Sequence, residues 1–384
     1  MKLGIDGFFM CGKRTGMGVM LENILFRWNG KLFEKTILYI PNALEKEKEE
    51  LLRQNSIEIQ VLKKRNFILW EQYIVPREAK KNGLDTLWFP FNTGSLVWRK
   101  ECIVTIHDTI YMHGCVLKQP TLYKAAGQLY RRIIVPRIAR KANRIITTTS
   151  EVAKELIDCF RIKKDKISMV SCCFSTCEQN MNDNNWNEFR NKNEINQPFF
   201  LAYGSIDSRK NTARILQAFK KIATQNQEID LVLFGLTNNK KHNKIRKAIN
   251  RHSLSNRVHL LGYISELEKK ILYSKAIAFV FPSTCEGFGI PILEAFNNGT
   301  AVITSNVSSM PLIAGNAALL VDPYSIDMIA NAMLAVSDVD CNMELVARGQ
   351  KEVKKYSWSK TAELCAKAIA YIDNSAYAAN YGDK

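Results

Sequence analysis

Short, nearly unbroken apolar runs alternate along this chain with stretches whose apolar positions recur every three to four residues. In the first half the runs predict strands at residues 2–6, 35–40, 56–61, 87–91, 103–107 and 144–148. In the second half they predict strands at residues 199–203, 231–234, 258–261, 276–281, 301–304 and 318–321. Helical periodicity lies between them, for example at residues 19–28, 213–223 and 266–274. Strands that are apolar on both faces and alternate with helices build parallel sheets covered on two sides. Residues 180–196 break the pattern with eight Asn and few strong apolar side chains, and they read as an exposed linker or long loop. The expected class is therefore α/β, as two Rossmann-like domains of roughly 180 residues facing a cleft.

Composition narrows the class further. Of 384 residues, 46% are hydrophobic and 24% charged, enough apolar material for packed cores and too much for a disordered chain. No apolar run approaches the ~18 residues a membrane-spanning helix needs. The first residues, from Met1 to Asp6, lack the basic, apolar and small-residue regions of a signal peptide and read as a strand, so a soluble, cytoplasmic protein is expected. Ten cysteines without a Cys-x-x-Cys pair read as reduced thiols. The cluster Cys172, Cys173 and Cys177 is not taken as a metal site.

The net charge is +17 and unevenly spread: 30 basic against 18 acidic residues through Glu178, a surplus of 12 that leaves 5 for the rest. An anionic partner for the first half follows, whether phosphorylated substrate, membrane headgroups or nucleic acid. The densest run holds Arg131, Arg132, Arg137, Arg140, Lys141 and Arg144 without an acid. It reads either as a solvated helix face or as a patch that docks the protein on the inner, anionic face of a membrane.

Several segments carry candidate chemistry. Residues 7–13 fit Gly-x4-Gly-Lys, but Arg14 stands where a nucleotide-binding P-loop needs the Mg²⁺-binding Ser or Thr. Gly16 and Gly18 precede a helical stretch, where backbone amides can approach an anion. His107-Asp108 closes a predicted strand, placing His107 at a sheet's carboxyl edge as a site residue or as a satisfied structural histidine. His113 has no evident role. Gly204 turns a strand toward Arg209 and Lys210 just before a helix, a pair of cations suited to a pyrophosphate. In residues 279–304, Glu286 precedes Gly287, Phe288 and Gly289, Pro291 suits a helix's first turn, and Glu294 falls about one turn into that helix. The two carboxylates can reach different ends of one extended ligand. Asp338 and Asp340 spell Asp-x-Asp in a polar late segment and read as surface.

This last segment, with Gly204–Asn211 and residues 306–322, closely resembles the retaining glycosyltransferases of family 4, whose fold is GT-B. The resemblance extends over nearly the whole chain, through Trp70-Glu71-Gln72, Trp88-Phe89-Pro90, His107-Asp108 and Tyr356-Ser357-Trp358. It implies an N-terminal acceptor domain over residues 1–180, joined by a crossover helix at about 357–384, and a nucleotide-sugar donor domain over residues 197–356. It implies that Glu286 holds the donor sugar's hydroxyls and Glu294 the ribose, with amides of Gly287, Phe288 and Gly289 against sugar and phosphates. Arg209 and Lys210 would neutralise the diphosphate, Gly16–Gly18 would close over it, and His107 would touch the sugar near the transfer centre. Transfer would proceed with retention, without a protein nucleophile, a metal or another cofactor. The partners implied are a UDP-, GDP- or ADP-sugar donor and a glycan or polyprenyl-linked acceptor in surface polysaccharide synthesis. Glycogen- or sucrose-synthase chemistry, a nucleotide-sugar epimerase and a non-catalytic nucleotide-sugar-binding scaffold are the alternatives. Nucleic acid is not an expected partner, because no reading motif accompanies the charge.

Overall fold

The computed structural model describes residues 1–11, 16–112, 122–174, 182–224, 228–236, 239–262 and 264–371. Residues 12–15, His113, Cys115, Cys177 and the segment after Tyr371 lie outside that set. The chain divides into two compact units, Met1–Cys173 with Tyr356–Lys384, and Phe174–Lys355.

The first unit is built on a seven-stranded parallel sheet of β1 Lys2–Asp6, β2 Lys35–Ile40, β3 Ile57–Val61, β4 Thr86–Phe89, β5 Glu101–Ile106, β6 Arg144–Thr147 and β7 Ile167–Met169. The strand order is β3-β2-β1-β4-β5-β6-β7. Ile5 stands beside Trp88 across the β1–β4 register, and both are buried. The helix Trp358–Ile369 belongs to this unit and packs on the helix Gly16–Leu25 and on β6. Its Thr361 hydroxyl donates to the Ser171 carbonyl at 2.9 Å.

The second unit holds a six-stranded parallel sheet of β8 Phe199–Tyr203, β9 Asp230–Phe234, β10 Val258–Leu260, β11 Ala278–Phe281, β12 Ala301–Ser305 and β13 Ala318–Val321, in the order β10-β9-β8-β11-β12-β13. The central strands are buried on both faces, which explains their unbroken apolar sequence. In each sheet the winding direction reverses once, between β1 and β4 and between β8 and β11. The connections diverge there, leaving a crevice beyond the carboxyl ends of the strands where ligands of open α/β sheets bind. The loops after β8 and β11 are the two singled out from the sequence.

Two expectations need correction. The Asn-rich segment is not all loop: residues Asp183–Lys192 form a helix. Asn182 accepts from the Asn185 amide at 2.9 Å, and Asn185 accepts from the Asn182 amide at 3.1 Å, a reciprocal N-terminal cap. Trp186 stacks on Phe199 with centroids 6.2 Å apart and Phe189 is buried, so two aromatic residues anchor an otherwise polar helix. The first sheet also gains the short edge strand β7, whose sequence Ile167-Ser168-Met169 is too brief to show a period.

Candidate active site

The loop after β8 is held by its own side chains. The Gly204 amide donates to Phe234 O at 2.7 Å, and a Cβ on Gly204 would lie 3.1 Å from the Leu236 side chain. Asp207 accepts from the Arg209 amide at 3.0 Å and from its guanidinium at 3.2 and 2.7 Å. Burial pushes the Asp207 carboxyl up, but the Arg209 hydrogen bonds and charge outweigh it and hold the group below the usual carboxylate range. Asn211 adopts a left-handed φ of 61°, and its buried side chain donates to Pro282 O at 2.9 Å and Pro323 O at 2.6 Å. Arg209 O accepts from the Thr284 amide at 2.8 Å and lies 2.9 Å from Ser283 Oγ, tying this loop to the one after β11. Lys210 lies over the Phe281 ring, 4.8 Å from its centroid, and 5.5 Å from that of Tyr203.

The second loop presents Glu286 to that lysine. Lys210 Nζ lies 2.8 Å from Glu286 Oε1, and the Ser283 hydroxyl donates to the same oxygen at 2.5 Å. Ser308 accepts from the Glu286 amide at 3.2 Å, and the Ser308 and Ser309 hydroxyls donate to Glu286 O at 2.9 and 3.1 Å. Gly289 takes a φ of 116°, which a side chain would strain, and turns the chain directly into the helix Ile290–Asn297. The amides of Gly287–Gly289 thus sit at the positive end of a helix. Within that helix Glu294 is buried; Lys269 Nζ lies 2.7 Å from its Oε1, and the Tyr273 hydroxyl is 3.3 Å from its Oε2. Burial raises the Glu294 carboxyl and the Lys269 ammonium opposes that rise. Seven predicted positions, Gly204, Arg209, Lys210, Gly287, Phe288, Gly289 and Glu294, lie with Glu286 on the loops after β8 and β11 and on the helix that follows.

Gly16, Gly18 and His107 belong to the first unit. Gly16 opens the helix Gly16–Leu25 with open space where a Cβ would stand, whereas Gly18 is buried. His107 follows β5, and its Nε2 lies 2.8 Å from Pro90 O. A carbonyl only accepts, so Nε2 carries the ring proton and Nδ1 is left as an acceptor. Its amide donates to Asn92 Oδ1 at 2.6 Å. Burial lowers the imidazole's pKa and keeps the ring neutral. His107 borders a small apolar cavity with Met17, Met20 and Trp88.

The basic run is not a single charged face. Lys141 donates to Ser95 O at 3.0 Å, to Leu96 O at 2.8 Å and to Trp98 O, Arg132 to Tyr111 O at 2.8 Å, and Arg144 to the Ser168 hydroxyl at 2.9 Å. Arg131, Arg137 and Arg140 are exposed, spread around the helix Leu122–Lys141. Asp338 of the Asp-x-Asp sequence caps the helix Val339–Val353, accepting from the Cys341 amide at 3.0 Å.

Comparison with known proteins agrees with this arrangement. Residues 185–355 match the family model for glycosyl transferases group 1, and residues 15–176 match that for glycosyltransferase family 4. The chain belongs to this glycosyltransferase family. Over 164 residues, 42% of this chain and 43% of the relative, it is 34% identical to the O-antigen chain mannosyltransferase B of Escherichia coli. It is 25% identical to the O-antigen chain mannosyltransferase RfbU of Salmonella typhimurium, with 70% of this chain and 69% of that one covered. The match spans less than half the length of the first of these relatives. Anabaena HepE, solved in complex with UDP and glucose, superposes with a TM-score of 0.71 at 13% identity, covering 97% of this chain and all of that one. The fold is GT-B.

Several residues that build the site in this family member carried no signal that sequence reasoning used. Ser283, Asn211, Ser308 and Lys269 are common polar residues, each with a partner 22 to 112 positions away. Glu71 stands in the sequence Trp70-Glu71-Gln72 with no local cue to its surroundings. It is buried, accepts from Tyr130 at 2.5 Å, Gln72 at 3.0 Å and the Thr93 hydroxyl, and burial pushes its carboxyl up to about 7. Gln72 in turn accepts from the Leu96 amide at 2.9 Å and donates to Gly94 O at 3.0 Å, fixing the loop that carries Asn92 beside His107.

Proposed function

We propose that this chain is a retaining glycosyltransferase that moves a hexose from a nucleoside-diphosphate sugar to a glycan or polyprenyl-linked acceptor in surface polysaccharide synthesis. The observation that carries the reading is the Lys210–Glu286 pair, 2.8 Å apart at the point where the second sheet reverses its winding. A cation for the diphosphate and a carboxylate for sugar hydroxyls stand side by side, as cleavage of the bond between them requires. In this reading Lys210, Arg209 and the amides of Gly287–Gly289 stabilise charge developing on the leaving diphosphate. Glu286 orients the sugar, and Glu294 takes the ribose. His107, neutral and with Nδ1 as an acceptor, contacts a sugar hydroxyl. The leaving phosphate removes the acceptor's proton on the same face, which preserves the anomeric configuration without a protein nucleophile. The two cations supply the positive charge a divalent ion would otherwise bring, so turnover in excess EDTA is expected to match turnover without it. The names of the O-antigen relatives favour a mannosyl donor. Exposed Arg137 and Arg140 lie on the same stretch of helix as exposed Leu129 and Ile133, which supports contact with an anionic membrane bearing the acceptor.

The test is a screen of UDP-, GDP- and ADP-hexoses for slow release of nucleoside diphosphate. One donor class should turn over and Glu286→Gln should lower that rate more than it lowers nucleotide affinity. Nucleotide-sugar binding with no turnover of any donor, with or without polyprenyl-phosphate acceptors, would instead mark a non-catalytic scaffold.

A further inference from the structure

Both carboxylates of the site face a lysine, but the two lysines differ in kind. Lys210 is placed to meet phosphate. Lys269 comes from the helix Glu266–Lys275 and is bound only to carboxylates, Glu294 Oε1 at 2.7 Å and Glu266 Oε2 at 3.0 Å. The helix that carries it is anchored at its start, where Ser265 and Glu268 cap each other at 3.1 and 2.8 Å. Glu268 is thereby committed to the cap, leaving Lys269 to Glu294 and Glu266. The Lys269 and Glu294 side chains are only 18% and 9% exposed.

An ionised carboxylate offers about four acceptor positions, two on each oxygen. Lys269 occupies one on Oε1 and Tyr273 one on Oε2. One position stays open on each oxygen, the arrangement that two neighbouring hydroxyls of a ribose require. A protonated carboxyl would turn one oxygen into a donor and lose that match. We infer that Lys269 is a positioning residue for nucleotide binding, holding Glu294 ionised and oriented so that both its oxygens accept from the ribose diol. The inference rests on Glu294 being the ribose-binding carboxylate proposed above.

Charge and burial support it. Burial drives Glu294 toward its protonated form, and Lys269, ahead of the Tyr273 hydroxyl, is the main group that opposes this. Tyr273, Tyr203 and Glu266 also face the pair; the tyrosines are held protonated by burial, and Glu266 adds negative charge that Lys269 alone offsets among the described partners. Removing Lys269 leaves a buried, unpaired carboxylate, which takes up a proton.

The experiment titrates UDP, GDP and ADP into wild-type protein and carries the tightest binder through five variants. Lys269→Met should weaken it by about tenfold or more near pH 6, the effect of one unit of carboxyl pKa, and by less near pH 8.5. Lys269→Arg should restore most of the affinity. In a Glu294→Gln background, Lys269→Met should cause no further loss. This double variant buries no unpaired carboxylate and so tests the coupling even if Lys269→Met alone folds poorly. Wild-type affinity in Lys269→Met would overturn the inference. So would a loss that is independent of pH and persists in the Glu294→Gln background, because Lys269 would then act on the nucleotide or the fold directly. Glu294→Ala is the control for the premise: unchanged nucleotide affinity there would remove the ribose reading itself, and this inference with it.

Discussion

Replacing Lys210 with alanine probes the donor site at its most strongly charged contact. A lysine hydrogen-bonded to a diphosphate oxygen contributes about 1.5–3 kcal/mol, so its loss should weaken a nucleoside diphosphate by roughly 10- to 150-fold. The structure adds a second effect. Lys210 Nζ is 2.8 Å from Glu286 Oε1, with side chains 23% and 14% exposed, so the substitution also unmasks a carboxylate in front of an anionic ligand. Partial solvent access reduces that repulsion to on the order of 1 kcal/mol, or about a further fivefold. Lys210→Ala/Glu286→Gln should therefore bind the diphosphate about fivefold more tightly than Lys210→Ala alone, although it lacks one more polar group. Isothermal titration of UDP, GDP and ADP, each beside its free nucleoside, reads both effects. Nucleoside affinity should hardly change in any variant. Equal losses for nucleoside and diphosphate would refute the assignment of Lys210 to the phosphates. A double variant weaker than the single would refute the unmasked charge. Arg209→Ala should cost less than Lys210→Ala, because Asp207 engages the guanidinium through two nitrogens, at 3.2 and 2.7 Å, whereas Lys210 has a single carboxylate partner.

Glu294→Ala should weaken nucleotide binding more than it slows turnover, and Glu286→Gln the reverse; kinetics and calorimetry together read the split, and the opposite pattern would exchange the two roles. Asn211→Ala removes two buried hydrogen bonds to Pro282 O and Pro323 O and leaves a non-glycine residue at a φ of 61°, so it should destabilise the second unit by about 1–3 kcal/mol, seen as a lower thermal midpoint. Burial holds Glu71 at about 7 and Asp6 at about 6, both above the values of about 4 expected in the unfolded chain. The folded state therefore binds more protons between those values, and stability should fall as pH rises from about 4 through about 7. Glu71→Gln should flatten that slope, and a wild-type midpoint that rises across the window would contradict the burial argument. Co-sedimentation with liposomes should increase with anionic lipid and decrease with salt, and Arg137→Glu/Arg140→Glu should reduce it; indifference to lipid charge and salt would remove membrane docking.

Sheets and loops were legible in the sequence to different degrees. The strands of a doubly covered parallel sheet announce themselves, because burial on both faces leaves runs such as Phe199–Tyr203 with no polar interruption. The loops after β8 and β11 could be read because glycine, proline and paired charges are rare in combination and each has a conformational reason to be there. The helix Asp183–Lys192 was hidden, since Trp186 and Phe189 are its only apolar residues and local composition resembles a linker. The same reason hid Lys269 and Asn211: each acts through a partner distant in sequence, Glu294 and the carbonyls of Pro282 and Pro323. The basic run misled in the other direction. Counting charges could not show that Lys141, Arg132 and Arg144 are spent on the unit's own loops and strands.

The central claim is that the site releases a sugar from a nucleoside diphosphate on the front face. Proton NMR of the enzyme with the donor that the screen selects, followed from the first minutes, tests it most directly. With an α-linked donor, nucleoside diphosphate should appear together with the α-anomer of the free or transferred sugar, before mutarotation produces the β-anomer. Initial release of the β-anomer would contradict retention, and an unchanged donor spectrum with every nucleotide sugar and acceptor would contradict the transferase itself.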